Sequence, residues 1–175
     1  LVVGAGEVGE EKMHFILKSS PNANITIVAT WVGDGVAEIL KAYTDSNVVV
    51  NIKAVEESDV AKHDLIVAAT CFHDVNMEVY QWAKKHGKII NVADTPDLCD
   101  FYMGSIVTKG DLKIAISTNG KSPTFSKRFR QYLESVLEDD TADLIENLKK
   151  VRDKMDLDFK QKVSELNKIT EKLIE

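Results

Sequence analysis

Three stretches of the chain combine residue types and spacings that could carry chemistry. The first is Gly4-Ala5-Gly6-Glu7-Val8-Gly9, placed directly behind the apolar Leu1-Val2-Val3. A glycine loop between a strand and a helix is the context a dinucleotide requires. Gly4 permits the tight turn, Gly6 lets the backbone approach a pyrophosphate, Gly9 lets helix and strand pack closely, and the helix N-terminus favours the anion. These three glycines, with Glu7 and Val8, are the candidate cofactor-binding residues, although a tight strand-to-helix turn with nothing bound uses the same pattern. An acidic residue is expected about 20 positions further on, to meet the ribose. Ala29, Thr30 and Trp31 stand there instead, and Asp34 comes a few residues late. Lys12 could meet a phosphate or simply be solvated on an exposed helix face.

The second stretch, Asn91-Val92-Ala93-Asp94-Thr95-Pro96, puts one carboxylate just past the end of an apolar run. Ligands of open α/β sheets bind at that edge. An aspartate there can act as a general base if a substrate proton comes within hydrogen-bond reach; a turn before Thr-Pro also calls for aspartate. The third, Ser117-Thr118-Asn119-Gly120-Lys121-Ser122-Pro123, runs into Lys127, Arg128 and Arg130. Hydroxyls, a glycine turn and a helix N-terminus make an anion cradle; a capped loop before a solvated basic helix face is the plainer reading.

The elements that must position these stretches follow from hydrophobic periodicity. Strands are expected at Leu1–Val3, Ile25–Thr30, Val48–Ile52, Leu65–Thr70 and Ile89–Val92, with helices at Glu10–Lys18, Gly35–Tyr43 and Val75–Lys85, the last closed by Gly87. Strands alternating with helices, each strand an apolar run, predict an α/β fold with a Rossmann-type parallel sheet covered by helices on both faces. After Ala93 the rhythm changes. Ser105–Thr108 and Leu112–Ser117 form a hairpin-like pair around Gly110, and Ser122-Pro123 caps a helix bearing Phe125, Phe129, Tyr132, Leu133, Val136 and Leu137 on one face. From Thr141 the chain is helical in character, with one stripe of Leu144, Ile145, Leu148, Val151 and Met155 and another of Phe159, Val163, Leu166, Ile169 and Leu173. Such narrow stripes need a partner surface. The division expected is a nucleotide-binding Rossmann domain over 1–92, a small α+β dimerisation and substrate-binding segment over 93–133, and a helical C-terminal region over 134–175.

Composition sets outer bounds. With 175 residues and 44% hydrophobic content, the chain can bury a core without disulfides or metal. Cys71 and Cys99 give neither a disulfide framework nor a zinc site, and His14, His63, His73 and His86 do not fall at metal-ligand spacings, so no metal site is expected. Unpaired thiols fit a reducing compartment, hence the cytoplasm. Neither a transmembrane run nor a signal peptide is expected, because Leu1–Val3 leads straight into the glycine turn. No initiator Met precedes Leu1, so further residues are expected before it. The chain carries 22 basic and 28 acidic residues. An overall acidic balance argues against nucleic acid as a partner. Yet Gly104–Leu133 holds Lys109, Lys113, Lys121, Lys127, Arg128 and Arg130 against one acid, Asp111, a local +5 that leaves −11 elsewhere. Such a patch suits a small polyanion.

In this order the motifs resemble the precorrin-2 dehydrogenase / sirohydrochlorin ferrochelatase family of siroheme synthesis, over roughly residues 1–135. The matching stretches are the glycine loop with Lys12, Asp64-Leu65-Ile66-Val67-Ala68-Ala69-Thr70, Asn76, Asn91–Pro96, Asp97–Phe101, Ser105–Val107, Ile114–Thr118, Gly120, Ser122-Pro123, Arg130 and Leu133-Glu134. The later block is more specific than the glycine loop. The resemblance implies oxidation of precorrin-2 to sirohydrochlorin by NAD⁺, with Fe²⁺ insertion as a second activity in some members. It assigns Asp94 the acid–base role, Thr70 and Asn76 to the cofactor side, and Ser117 and Thr118 to the tetrapyrrole side, where Gly120, Lys121, Ser122, Lys127 and Arg130 join them as candidate substrate-binding residues. It also implies a homodimer formed through the segment after the sheet, whose open strand edges invite pairing.

Departures from the family pattern are Gly9 where Ala is common, Glu11 in place of Arg, Thr30-Trp31 after the second strand, Cys71-Phe72, Lys109 and Asn119. With no basic residue near Thr30, NAD is expected over NADP. The chain ends before any methyltransferase domain, so uroporphyrinogen methylation is expected from another protein. Two alternatives stay open: an NAD(H)-sensing regulatory module without catalysis, which needs the glycine loop but neither Asp94 nor the Ser122-Pro123 block, and a chelatase that has lost its redox function.

Overall fold

The computed structural model describes residues 1–171. Five short strands, β1 (Val2–Val3), β2 (Ile25–Ala29), β3 (Val48–Ile52), β4 (Leu65–Ala68) and β5 (Ile89–Val92), form one parallel sheet in the order β3-β2-β1-β4-β5. The two-residue β1 is central. Val2 lies opposite Ile27 on one side and Val67 on the other.

Strand alternation divides the core in two. Val2, Ile25, Ile27 and Val67 face α1 (Glu7–Ser19) and α2 (Asp34–Ala42), where Met13, Leu17, Val36 and Ile39 complete the layer. Val3, Val28, Ile66, Ile90 and Val92 face α3 (Glu57–Ala61) and α4 (His73–Lys85), meeting Val60, Val79 and Ala83. Met13, Ile27, Ile66, Val79 and Ile90 have no exposed surface. Burial of side chains of this size stabilises the fold by roughly 1.5–3 kcal/mol each. The crossover at β1 sends α1 to one face and α4 to the other, which opens a crevice at the C-terminal edge between β1 and β4.

The expected strands and helices are all present, with boundaries shifted by a few residues; α1 begins at Glu7, three residues early, and β4 stops at Ala68. Two elements were not anticipated. The five-residue α3 has no apolar stripe and is held by a capping box between the acids Glu56 and Asp59. A single 3₁₀ turn follows at Pro96–Leu98.

Beyond the main sheet, β6 (Ser105–Lys109) and β7 (Leu112–Ile116) form a separate antiparallel ribbon, turned at Gly110 with φ 55°. Helix α5 (Pro123–Val136) packs on it, started by Ser122, whose Oγ accepts the Phe125 N–H at 3.2 Å. The tail forms two helices, α6 (Thr141–Lys154) and α7 (Phe159–Ile169), the second capped reciprocally by Asp158 and Gln161. Leu144, Val151, Phe159, Val163 and Ile169 of the two apolar stripes are exposed; Leu173 lies outside the described residues. Among the described residues no helix is long and apolar enough to cross a membrane.

Candidate active site

The glycine loop joins β1 to α1 at the crevice, and its glycines have different reasons to be there. Gly4 has φ 103°, and a Cβ on it would lie 2.5 Å from the Ala69 carbonyl oxygen. A Cβ on Gly9 would lie 2.4 Å from the carbonyl oxygen of Gly4. Both glycines are therefore required by the fold itself. Gly6 is not: a Cβ there would meet only the Trp31 indole, at an ordinary 3.5 Å. Its bare backbone instead faces a cavity of about 590 Å³ lined by Gly4, Gly6, Glu7, Val8, Thr70 and Trp31, among others. Gly6 is also the N-cap of α1 and offers no side chain to the first-turn N–H groups. Open backbone and unsatisfied donors at one wall fit a dinucleotide pyrophosphate.

The opposite wall is fixed by Asn76. This buried side chain accepts the Thr70 N–H at 3.2 Å and the Thr70 hydroxyl at 2.7 Å on Oδ1, and donates from Nδ2 to the Thr70 carbonyl at 3.0 Å. Thr70 lines the cavity and Asn76 does not. Asn76 thus shapes the wall from behind, a positioning role that motif matching alone does not separate from direct contact.

Two wall residues are not assigned to the cofactor from the sequence, where Trp31 enters only as standing in place of the expected acid. Trp31, 56% exposed, leans back over Gly6 and Gly33. Lys53 reaches the crevice because β3 pairs with β2, and its N–H donates to the Ala29 carbonyl at 3.0 Å. Strand order, invisible in the spacing, therefore supplies the basic residue that was expected to be lacking near Thr30. Lys53 is not free: Nζ lies 2.8 Å from Asp59 and 3.0 Å from Glu56. Burial acts to raise the Asp59 carboxyl, but the Lys53 hydrogen bond and the Glu56 N–H outweigh it and hold it below the ordinary aspartate value. The same pairing raises Lys53.

A second cavity, of about 550 Å³, lies between α1, the segment after β5, the β6–β7 ribbon and α5. It brings together Ser117, Thr118, Gly120, Lys127 and Arg130 of the predicted substrate residues. Lys121 and Ser122 are not among its walls; Ser122 is occupied as the α5 cap. Glu11, which stands where the family pattern has Arg, lines this cavity, with Phe15.

The basic segment is less of a continuous patch than its +5 charge implies. Lys109 pairs with Asp139, and Lys113 donates to the Ser19 carbonyl. Arg130 makes two bonds of 2.7 Å to Glu134, which also accepts from Lys18 at 3.1 Å, so this cluster ties α5 to α1. Lys127 and Arg130 are the cations facing the cavity. Lys109, Lys113 and Arg128 serve local structure, the last through Gln131 at 3.1 Å.

Asp94 sits in the turn that leaves β5, and the Ala93 N–H donates to the Ala68 carbonyl at 2.9 Å. The turn thus lies one strand from Thr70 at the same edge of the sheet. Asp94 is exposed and lines neither cavity. Its φ is 56°, and Asn119, in the third motif, has φ 54°. Among the described residues these are the non-glycine positions with positive φ, both in the loops singled out for chemistry. Aspartate and asparagine tolerate this left-handed region best among such residues, and it costs of order 1–3 kcal/mol where it persists. Beneath the Asp94 turn, the Cys99 Sγ accepts the Val92 N–H at 3.3 Å and the Asn91 Nδ2–H at 3.4 Å. Cys99 is a brace for the turn.

Comparison with known proteins agrees with this geometry. Residues 1–105 match the family described as "Putative NAD(P)-binding", and residues 109–135 match the one described as sirohaem biosynthesis protein central. A siroheme synthase of Pseudoalteromonas atlantica is 36% identical over 137 residues, covering 78% of this chain and 29% of the relative. One from Ruthia magnifica subsp. Calyptogena magnifica is 34% identical over 155 residues, covering 89% and 32%. The chain therefore spans less than a third of these relatives' length. Among solved structures, SirC, a precorrin-2 dehydrogenase, superposes with a TM-score of 0.74 at 25% identity, covering 96% of this chain and 82% of that one. A Rossmann-type sheet, a glycine loop with an open backbone at Gly6, and a family match across more than half of the sequence lead to one conclusion: the chain belongs to the NAD(P)-binding family matched over residues 1–105.

Proposed function

We propose that this chain oxidises precorrin-2 to sirohydrochlorin with NAD⁺ in siroheme biosynthesis. The observation that carries the reading is the pairing of two cavities of similar size that both border α1, one at its first turn walled by the glycine loop and one further along, at Glu11 and Phe15, walled by the Ser117–Arg130 block. When bound, NAD⁺ would supply the hydride acceptor. The chain's own residues do the rest. The backbone of Gly6 and the first turn of α1 hold the pyrophosphate. Thr70, set by Asn76, would form the facing wall of the cofactor cavity. Ser117, Thr118 and the Gly120 turn donate to substrate carboxylates, with Lys127 and Arg130 supplying charge, and Lys121 and Ser122 stand at the outer end of the same loop. Asp94 takes the proton that leaves the ring as the hydride departs. It is exposed, so its carboxylate is open to an incoming ring. Insertion of Fe²⁺ draws on the same base to remove pyrrole protons, and is part of the proposal as a second activity on a substrate metal.

The division of labour runs along the chain: 1–92 for the nucleotide, 93–133 for substrate and dimerisation, and 134–175 as the C-terminal region, whose described part holds α6 and α7. A homodimer is supported by α5, where Phe125, Phe129 and Tyr132 stack in a ladder with centroids 5.8 and 6.3 Å apart while remaining 58, 40 and 59% exposed. The unpaired edges of the β6–β7 ribbon add to that surface. We place the reaction in the cytoplasm, where the exposed Cys71 thiol stays reduced.

The test is anaerobic incubation with precorrin-2 and NAD⁺, with NADH, sirohydrochlorin and metal insertion followed separately. NADH and sirohydrochlorin rising in equal amounts is the expected result. NAD⁺ binding with no tetrapyrrole turnover would favour the regulatory-module reading instead.

A further inference from the structure

We infer that Trp31 is a specificity-determining residue that reads the adenosine half of the dinucleotide by stacking, in place of the carboxylate that a crevice of this kind uses on the ribose. The inference rests on the dinucleotide reading of the crevice. Its basis is local. The β2 strand ends at Ala29, and the next two side chains are Thr30 and Trp31. Asp34, the nearest following acid, is exposed and lines no part of this cavity. A large aromatic side chain left more than half exposed would ordinarily be drawn into a core. Here the chain holds it at the mouth of the crevice. The Gly33 N–H is tied to the Ala5 carbonyl at 2.9 Å, which anchors the segment following Trp31 to the glycine loop. A Cβ on Gly33 would come within 3.1 Å of the indole, so a bare backbone is what lets the ring lie back against the loop. Phe72, 61% exposed, and Val55 line the same cavity from the loops after β4 and β3. An exposed indole, an exposed phenyl ring and an aliphatic side chain on one cavity form an apolar slot for a flat heteroaromatic base. An adenine offers such a face, and stacking of a base on an aromatic side chain is favourable without any charge.

The experiment uses the full chain with Trp82, the other tryptophan, replaced by Phe, so that fluorescence reports Trp31 alone. Titration with AMP and with NAD⁺ is expected to quench this emission saturably. Calorimetry on otherwise native protein is expected to show NAD⁺ binding about tenfold weaker in Trp31→Ala and close to native in Trp31→Phe. Equal or tighter binding by Trp31→Ala would overturn the inference, and tighter binding would mark the indole as a plug over Gly6. Absence of NAD⁺ binding to the native protein would overturn the dinucleotide reading, and this inference with it.

Discussion

Asn76 grips Thr70 from both sides, taking its N–H and hydroxyl on one oxygen and giving its amide hydrogen to the Thr70 carbonyl at 3.0 Å. The side chain is buried, so truncation strands the Thr70 groups as well as removing their partner. Asn76→Ala is expected to lower stability by about 2–3 kcal/mol and to weaken NAD⁺ binding. Asn76→Asp keeps the acceptor and loses the donor, and should fall between the two. Chemical denaturation and calorimetry on the same samples check both effects.

The glycine loop makes a graded prediction. Gly9→Ala drives a methyl to 2.4 Å from a backbone oxygen, which has little room to move. The cost expected is about 1–3 kcal/mol. Gly6→Ala meets only the Trp31 ring at 3.5 Å and should leave stability within about 1 kcal/mol of native. Its loss should appear in NAD⁺ affinity. Thermal melts with and without NAD⁺ separate the two behaviours, and a destabilised Gly6→Ala protein with native affinity would contradict the assignment.

Glu134 provides a pH test. Burial acts to raise its carboxyl, but hydrogen bonds from Lys18 and Arg130 outweigh that and set it below the ordinary glutamate value of 4.5. A carboxyl with a depressed folded value adds stability above its unfolded value and loses it as pH falls through the folded one. Native protein should therefore exceed Glu134→Gln in stability at neutral pH by roughly 0.5–1 kcal/mol. The difference should close as pH falls below 4.5 through the lower folded value. Denaturation midpoints of both proteins across that range check it.

The aromatic ladder on α5 predicts association. If Phe125 and Phe129 meet a second copy, Phe129→Asp should shift a dimer to monomer in sedimentation at micromolar concentration while leaving the far-UV spectrum unchanged, because Phe129 is 40% exposed in the single chain. An unchanged sedimentation coefficient would move the interface elsewhere.

The sequence made the parallel sheet legible because each strand is a mainly apolar run, such as Leu65–Ala68, bounded by Asp64 and followed by a helix. The glycine loop was legible because three glycines at that spacing answer to backbone geometry, two of them to contacts within the chain. Asp94 and Asn119 were visible as turn residues, but not as left-handed ones, since that depends on the loops closing behind them through Cys99 and Thr118. Three things were hidden for a common reason. Lys53 enters the crevice through strand order, Trp31 through the direction in which its ring folds, and the dispersal of the basic segment through partners far along the chain, such as Ser19 for Lys113 and Asp139 for Lys109. Spacing along a sequence encodes local geometry and carries no information about which distant group will be the neighbour. Helix α3 was missed because two acids and a capping box define it instead of an apolar stripe.

The measurement that bears most directly on the central claim is the anaerobic rate of NADH formation from precorrin-2 and NAD⁺ by Asp94→Asn. Asparagine accepts the left-handed backbone at this turn, so fold and NAD⁺ binding should be native and only the proton acceptor is lost. A rate at least about a hundredfold below native, with both ligands still bound, is the outcome the account predicts. A native rate from this variant would contradict it.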